Sequence, residues 1–135
     1  MRVVLDTNVL VSALLYGGKP KHVVDLATKS PMTAVTSEVL LKELANTLYR
    51  LNHKYHYEGF DIVEVLKLVT INLELVEPMM DIHVLADEPD NRVLEAAISG
   101  TCSRIVTGDK KFLELGAYNG IKIITVNQFL EEYKS

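Results

Sequence analysis

The sequence predicts an α/β fold, a three-layer α/β/α arrangement around a central, mostly parallel sheet of four to five short strands. Three observations predict it. Short apolar runs of strand character alternate along the chain with stretches whose apolar residues recur at helical spacing. A polar triplet, Asp6-Thr7-Asn8, stands directly between a run of the first kind and one of the second. The composition, 48% hydrophobic and 24% charged with 7 glycines and 4 prolines, is that of an ordinary globular chain and not of a disordered one. At 135 residues the chain suits one domain spanning 1–135.

The elements follow in order. Val3, Val4 and Leu5 read as a short buried strand, and Val9, Leu10, Ala13, Leu14 and Leu15 as the helix after it. Met32-Thr33-Ala34-Val35 is a second strand, and Ser37 opens a helix through about Arg50 in which Leu40, Leu44 and Leu48 stack at i, i+4 and i+8. Ile62 to Ile71 is another apolar-periodic helix, and Leu73-Glu74-Leu75-Val76 alternates like a strand stopped near Pro78. Pro89 ends the segment before a helix that begins at Asp90-Asn91 and runs to Ile98. Arg104-Ile105-Val106-Thr107 is a strand ended by Gly108, Asn119-Gly120 is a turn, Ile121 to Val126 is the last strand and Gln128 to Tyr133 a closing helix.

Composition excludes several function classes. A net charge of -4 argues against gripping nucleic acid by bulk electrostatics and leaves only a local basic patch. Cys102 is the sole cysteine, so an intrachain disulfide and a thiolate metal cluster are both ruled out, and its role is that of a small packed residue. No targeting segment is visible, and no apolar run approaches the roughly 20 residues that a membrane span needs. A cytoplasmic location and no membrane partner are therefore expected.

The acidic residues carry the chemistry. In open α/β sheets ligands bind beyond the carboxyl ends of the strands, and Asp6 and Asp109 each stand just past such an end. Right-handed crossovers bring those ends to one edge of the sheet. Asp90, at the start of its helix, points to the same edge, with Asp87 as a second choice. Glu43 lies inside its helix between Leu40 and Leu44, where no capping role is available. Each acid also has an ordinary account as a cap, an acidic turn or a solvated helix border. Together they form a carboxylate-only set with no histidine or cysteine at a comparable place. Such a set suits a hard cation, Mg²⁺ or Mn²⁺, and phosphodiester hydrolysis is the natural chemistry for it.

LDTNVLVSAL, TSEVLLKEL, DEPDNRVLEAAISG and RIVTGDKKFLEL, occurring in that order along nearly the whole chain, resemble the PIN-domain nucleases, particularly the group regarded as toxins of toxin–antitoxin pairs (VapC-like ribonucleases). The resemblance implies a PIN-like fold and a metal-dependent endoribonuclease acting on single-stranded RNA. It carries four acidic positions over to Asp6, Glu43, Asp90 and Asp109, as catalytic residues and metal ligands. Asn8 and Ser12 match polar positions of the first motif, where they would orient Asp6 or a water on the metal, and Thr107 matches the hydroxyl residue before Gly108-Asp109. A homodimer and an antitoxin protein that blocks the acidic crevice are implied as partners. Two positions depart from the pattern: Lys111 and Ser103 stand where relatives often carry further acids. One firmly held ion is therefore expected, with a second arriving with substrate if at all.

For RNA contact, RLNHKYHYEG is a stretch that mixes bases and aromatics, with Arg50, His53, Lys54, Tyr55, His56 and Tyr57 in a connection between two helices. Lys110 and Lys111, beside Asp109, are a second place where phosphate would dock. His53 and His56 alone do not argue for a metal site, and His22 and His83 read as surface residues. Two alternatives remain. A PIN fold that binds RNA or serves as a scaffold would turn nothing over. A haloacid-dehalogenase-like phosphatase or a receiver domain also places Asp after its first strand, but the phosphatase wants a second Asp where Asn8 stands.

Overall fold

A computed structural model of the protein describes residues 1–56 and 61–133. In chain order the elements are β1 (Arg2–Leu5), α1 (Thr7–Tyr16), α2 (Gly18–Ala27), β2 (Thr33–Thr36), α3 (Glu38–Tyr55), α4 (Ile62–Ile71), β3 (Glu74–Leu75), α5 (Glu88–Ser99), β4 (Arg104–Val106), α6 (Lys110–Leu115), β5 (Ala117–Tyr118), β6 (Ile121–Ile124) and α7 (Val126–Glu132). The strands form one sheet in the order β3-β2-β1-β4-β6-β5, parallel except for β5, which pairs antiparallel with β6 across Asn119-Gly120. Six strands, against the expected four to five, result because the edges are two-residue strands; β1, β2, β4 and β6 carry the sheet.

Alternate residues of the strands feed two separate cores, as a pleated sheet with both faces covered requires. Val3, Leu5, Ala34 and Val106 pack with Val9, Leu10, Val23, Leu44, Leu48 and Phe129 on one face. Val4, Val35, Ile105 and Ile123 pack with Val93, Leu94, Ala97 and Phe112 on the other. Helices α1, α2, α3, α4 and α7 thus contribute to the first layer, and α5 and α6 to the second. The third helix reaches both: Leu44 and Leu48 enter the first core while Leu40 enters the second, so its first turns pass the end of the sheet.

The last strand ends at Ile124 and the closing helix already starts at Val126, α6 is a helix that the sequence reading lacks, and three further differences have a local reason. Pro89 lies in the first turn of α5, not before it, because proline's missing N–H is not required there. The third helix runs past Arg50 to Tyr55 and stops at His56, whose φ of 51° takes the left-handed region. Arg50, His53, Lys54 and Tyr55 are therefore helical and not part of a connection; Tyr57 lies outside the described residues. A further helix, α2, begins at Gly18 directly after Gly17, and the φ values of 69° and 65° at these two glycines break α1 from it. No helix among the described residues is long and apolar enough to cross a membrane.

The strand order has a consequence for binding. From β1 the chain moves outward through β2 to β3, then returns to the other side of β1 for β4 and continues to β6. The crevice between β1 and β4 is thus the switch point of the sheet, where an open α/β fold binds its ligand.

Candidate functional site

The carboxyl ends of β1 and β4 are joined by one buried hydroxyl. Leu5 lies opposite Val106, and Asp6 and Thr107 are the next residues on their chains. The Thr107 side chain, fully buried, donates to Asp6 Oδ2 at 2.6 Å and accepts the Asp109 amide at 3.1 Å. Asp6 caps α1 in an extended conformation, its Oδ1 accepting the Thr7 amide at 2.7 Å. Both carboxylate oxygens of a residue only 6% exposed are thereby oriented, with a lone pair on each left over.

The other acids arrive from different elements. Asp109 caps α6, with Oδ1 accepting the Lys111 amide at 2.9 Å. Asp87 caps α5 and accepts the Asp90 amide at 3.3 Å, which places Asp90 in the first turn beside it. Asp87, Asp90 and Asp109 each bring a carboxylate oxygen within 4.8 Å of the others. Asp6 and Glu43 line the same crevice, a cleft of about 340 Å³ to which Asn8, Ser12, Thr47 and Arg50 also contribute. Glu43 is half-buried one turn from Thr47 on α3. Of the remaining sequence candidates, Lys54, Lys110 and Lys111 are exposed and do not line the cleft, and His22 and His83 are exposed surface residues.

Asp87 enters this cluster on equal terms with Asp90, although the sequence ranks it second; the signal for it is the capping position ahead of Glu88-Pro89. Two residues have supporting roles that the sequence reading does not contain. Asn91, fully buried, accepts the Leu85 amide and donates to the Leu85 carbonyl, both at 2.9 Å. Glu95, one turn on, accepts the Ile82 amide at 2.8 Å and pairs with Arg92 at 2.8 Å. These two side chains hold the irregular segment that leads into Asp87. Their signal is a pair of polar residues at i and i+4 on the core-facing side of α5.

The crowding of acids is visible in their protonation. Burial pushes the Asp90 carboxyl up to about 8, and the neighbouring charge of Asp6, the shared hydrogen bond with Asp109 and the charge of Asp87 add to it. Asp6 is raised above its ordinary value by burial, partly offset by the Thr107 and Thr7 hydrogen bonds. Glu43 is raised by burial and then by Asp6 and Asp87. Like charges so placed are unfavourable alone and are relieved by a cation among them. The donor set is all oxygen, the ligand chemistry of Mg²⁺ and Mn²⁺, so these residues fit a hard divalent ion.

Comparison with known proteins bears on this arrangement. A family model described as a PIN domain matches residues 2–111, which include every acid named above. The uncharacterized protein MJ1680 of Methanocaldococcus jannaschii is 29% identical over 144 residues, covering 99% of this chain and 92% of that protein. Among solved structures, PAE2754 from Pyrobaculum aerophilum aligns over 97% of this chain and 87% of its own with a TM-score of 0.66 at 18% identity. VapBC2 from Rickettsia felis, solved bound to a DNA fragment from its promoter, aligns over 93% of this chain and 98% of its own with a TM-score of 0.63 at 16% identity. At such identities the two structures share the fold with this chain.

Proposed function

The chain belongs to the PIN-domain family, whose members are generally nucleases, and from that premise we propose that it is a Mg²⁺- or Mn²⁺-dependent endoribonuclease that hydrolyses phosphodiester bonds of single-stranded RNA. The observation that carries the reading is the convergence of acids from separate elements, with Asp6, Glu43, Asp90 and Asp109 lining one crevice at the switch point of the sheet.

Asp87, Asp90 and Asp109, whose carboxylate oxygens lie within 4.8 Å of one another, would hold the metal together with Asp6 and Glu43, which line the same crevice. When bound, the ion supplies Lewis acidity toward the phosphate oxygens and makes water a better nucleophile. The protein's own residues do the rest. Thr107 fixes the Asp6 carboxylate from beneath and ties it to the Asp109 backbone, so that two acids from distant segments keep one geometry. Asn8, exposed in the first turn of α1, and Ser12, one turn on, offer hydrogen bonds on the same side of the crevice as Asp6. Lys110 and Lys111, exposed beside Asp109, would meet the phosphate backbone outside the crevice.

The same family membership supports a toxin-type nuclease that forms a homodimer and is inhibited by an antitoxin chain inserted into the acidic crevice. The fold shared with VapBC2 from Rickettsia felis supports the antitoxin in particular.

The test needs no knowledge of the natural target. Mn²⁺ titrated by calorimetry into the wild type should bind saturably, and Asp6→Asn should lose that binding. Cleavage of an unstructured RNA in Mn²⁺ should stop in EDTA and fall at least about 100-fold in Asp6→Asn. RNA binding that is indifferent to metal and never followed by cleavage would instead make the protein a binding module.

A further inference from the structure

Resting on the nuclease reading, we infer that Arg50 binds a phosphate of the RNA strand at the mouth of the acidic crevice, and that the strand leaves along the face of α3 that Lys54 continues. Arg50 lines the cleft together with Glu43 and Thr47, and among the described residues it is the one cation that does so. The three stand at i, i+4 and i+7 on α3, and Lys54 follows at i+11. At 3.6 residues per turn these four positions fall within about 60° of arc, so they form one strip along the helix. A rise of 1.5 Å per residue puts Arg50 about 10 Å along the axis from Glu43, and Lys54 about 6 Å further.

Among the described residues the charge of Arg50 meets no carboxylate. An exposed arginine on a helix ordinarily meets a carboxylate three or four residues away. Here those neighbours are Asn46, Thr47, His53 and Lys54. Among the described residues Arg50 makes no hydrogen bond and no ion pair, and the crevice acids do not come within 4.0 Å of its guanidinium. Arg50 thus stands without a partner among the described residues, one turn from Lys54, whose ammonium lies 5.2 Å from the Tyr55 ring centroid, at the edge of a site lined by carboxylates. That arrangement suits an anion brought from outside, and a guanidinium offers a phosphate two parallel N–H donors. It also answers an electrostatic difficulty: a chain of net charge -4 with an acidic crevice repels RNA unless cationic groups mark the path in.

The deciding experiment measures binding and turnover separately. In the Asp6→Asn background, which should neither hold the ion nor cleave, a fluorescein-labelled single-stranded RNA 12-mer of mixed sequence is titrated in EDTA and its anisotropy followed across a salt series. Adding Arg50→Gln should weaken binding roughly tenfold and lower the slope of log K against log salt by about 0.7, the share of one phosphate contact on a single strand. Arg50→Lys should keep the slope while losing a few-fold in affinity, because the charge stays and the paired donors go. In the otherwise wild-type protein, Arg50→Gln should raise KM by a similar factor with kcat within about twofold and leave the Mn²⁺ isotherm unchanged. Glutamine keeps helix propensity, so α3 is expected to fold in every variant. Unchanged affinity and salt slope on Arg50→Gln, or no binding of the RNA by Asp6→Asn at all, would overturn the assignment. Failure of the wild type to cleave any RNA would overturn the nuclease reading instead, and the binding series would still decide the role of Arg50.

Discussion

Thr107 shows how much one side chain can decide. Fully buried, it donates to Asp6, 101 positions away, and accepts from Asp109, and so couples acids from distant segments. Valine has nearly the same shape and can do neither. We expect Thr107→Val to cost about 1–3 kcal/mol, because it leaves a buried carboxylate oxygen and a backbone N–H without partners. Mn²⁺ affinity should fall roughly tenfold at the same time, as happens when an outer hydrogen bond to a metal ligand is removed. Thr107→Ser should recover most of both. Urea denaturation and calorimetry check the two effects, and a variant as stable and as tightly metal-binding as the wild type would show that the hydroxyl orients nothing. In the sequence Thr107 stands out through the family resemblance as the hydroxyl residue before Gly108-Asp109, but its bond to Asp6 is not visible there, because Asp6 follows a different strand.

At the scale of elements, the site depends on how closely α5 lies against the sheet. The helix ends at Gly100, where an added Cβ would stand 2.7 Å from Val35 Cγ1 on β2 and 3.2 Å from Cys102 Sγ. Side chains in a packed core cannot yield that far without strain. Gly100→Ala should therefore destabilise the fold by about 1–3 kcal/mol with an unchanged denaturant m-value. Saturable Mn²⁺ binding should survive, because Asp87 and Asp90 stand at the other end of the helix. A neutral or stabilising effect would mean that β2 and α5 can separate without cost. The same helix is anchored at its start by Asn91 and Glu95, buried polar groups that local propensity alone would place on the surface. Helix α3 extends beyond its expected end near Arg50 for a related reason. The polar, aromatic run after Arg50 looks like a connection, yet Leu48 and Leu51 keep packing on the first core and carry the helix on to Tyr55.

For the molecule as a whole, the acidic crevice links stability to pH and to metal. The folded Asp90 carboxyl holds its proton up to about 8, against an ordinary 3.8, and Asp6 and Glu43 are shifted in the same direction. A group that binds its proton more tightly when folded stabilises the fold fully below its unfolded pKa, and that contribution is lost as pH rises through the folded value. The metal-free protein should therefore lose thermal stability between about pH 4 and pH 8. Mn²⁺ replaces the proton and relieves the same repulsion, so its stabilising effect should grow over that interval, reaching about 2.7 kcal/mol at a hundredfold excess over Kd. Calorimetric scans in EDTA and in Mn²⁺ at several pH values measure this directly. Asp90→Asn should flatten the metal-free dependence, and an equal dependence in that variant would place the coupling elsewhere.

What the sequence by itself determined is the sheet of alternating strands and helices and the candidate acids, because periodicity and capping chemistry are local and are written in consecutive residues. LDTNVL and IVTGDK each carry a strand, its end and the start of the next helix within a few positions. What only the tertiary structure decided is which groups meet. The Thr107 hydroxyl between Asp6 and Asp109, the entry of Asp87 beside Asp90, and the joining of Arg50 to the crevice all depend on strand order and on the path of α3 past the sheet end. These are contacts across long stretches of chain, set by how two cores pack on one sheet.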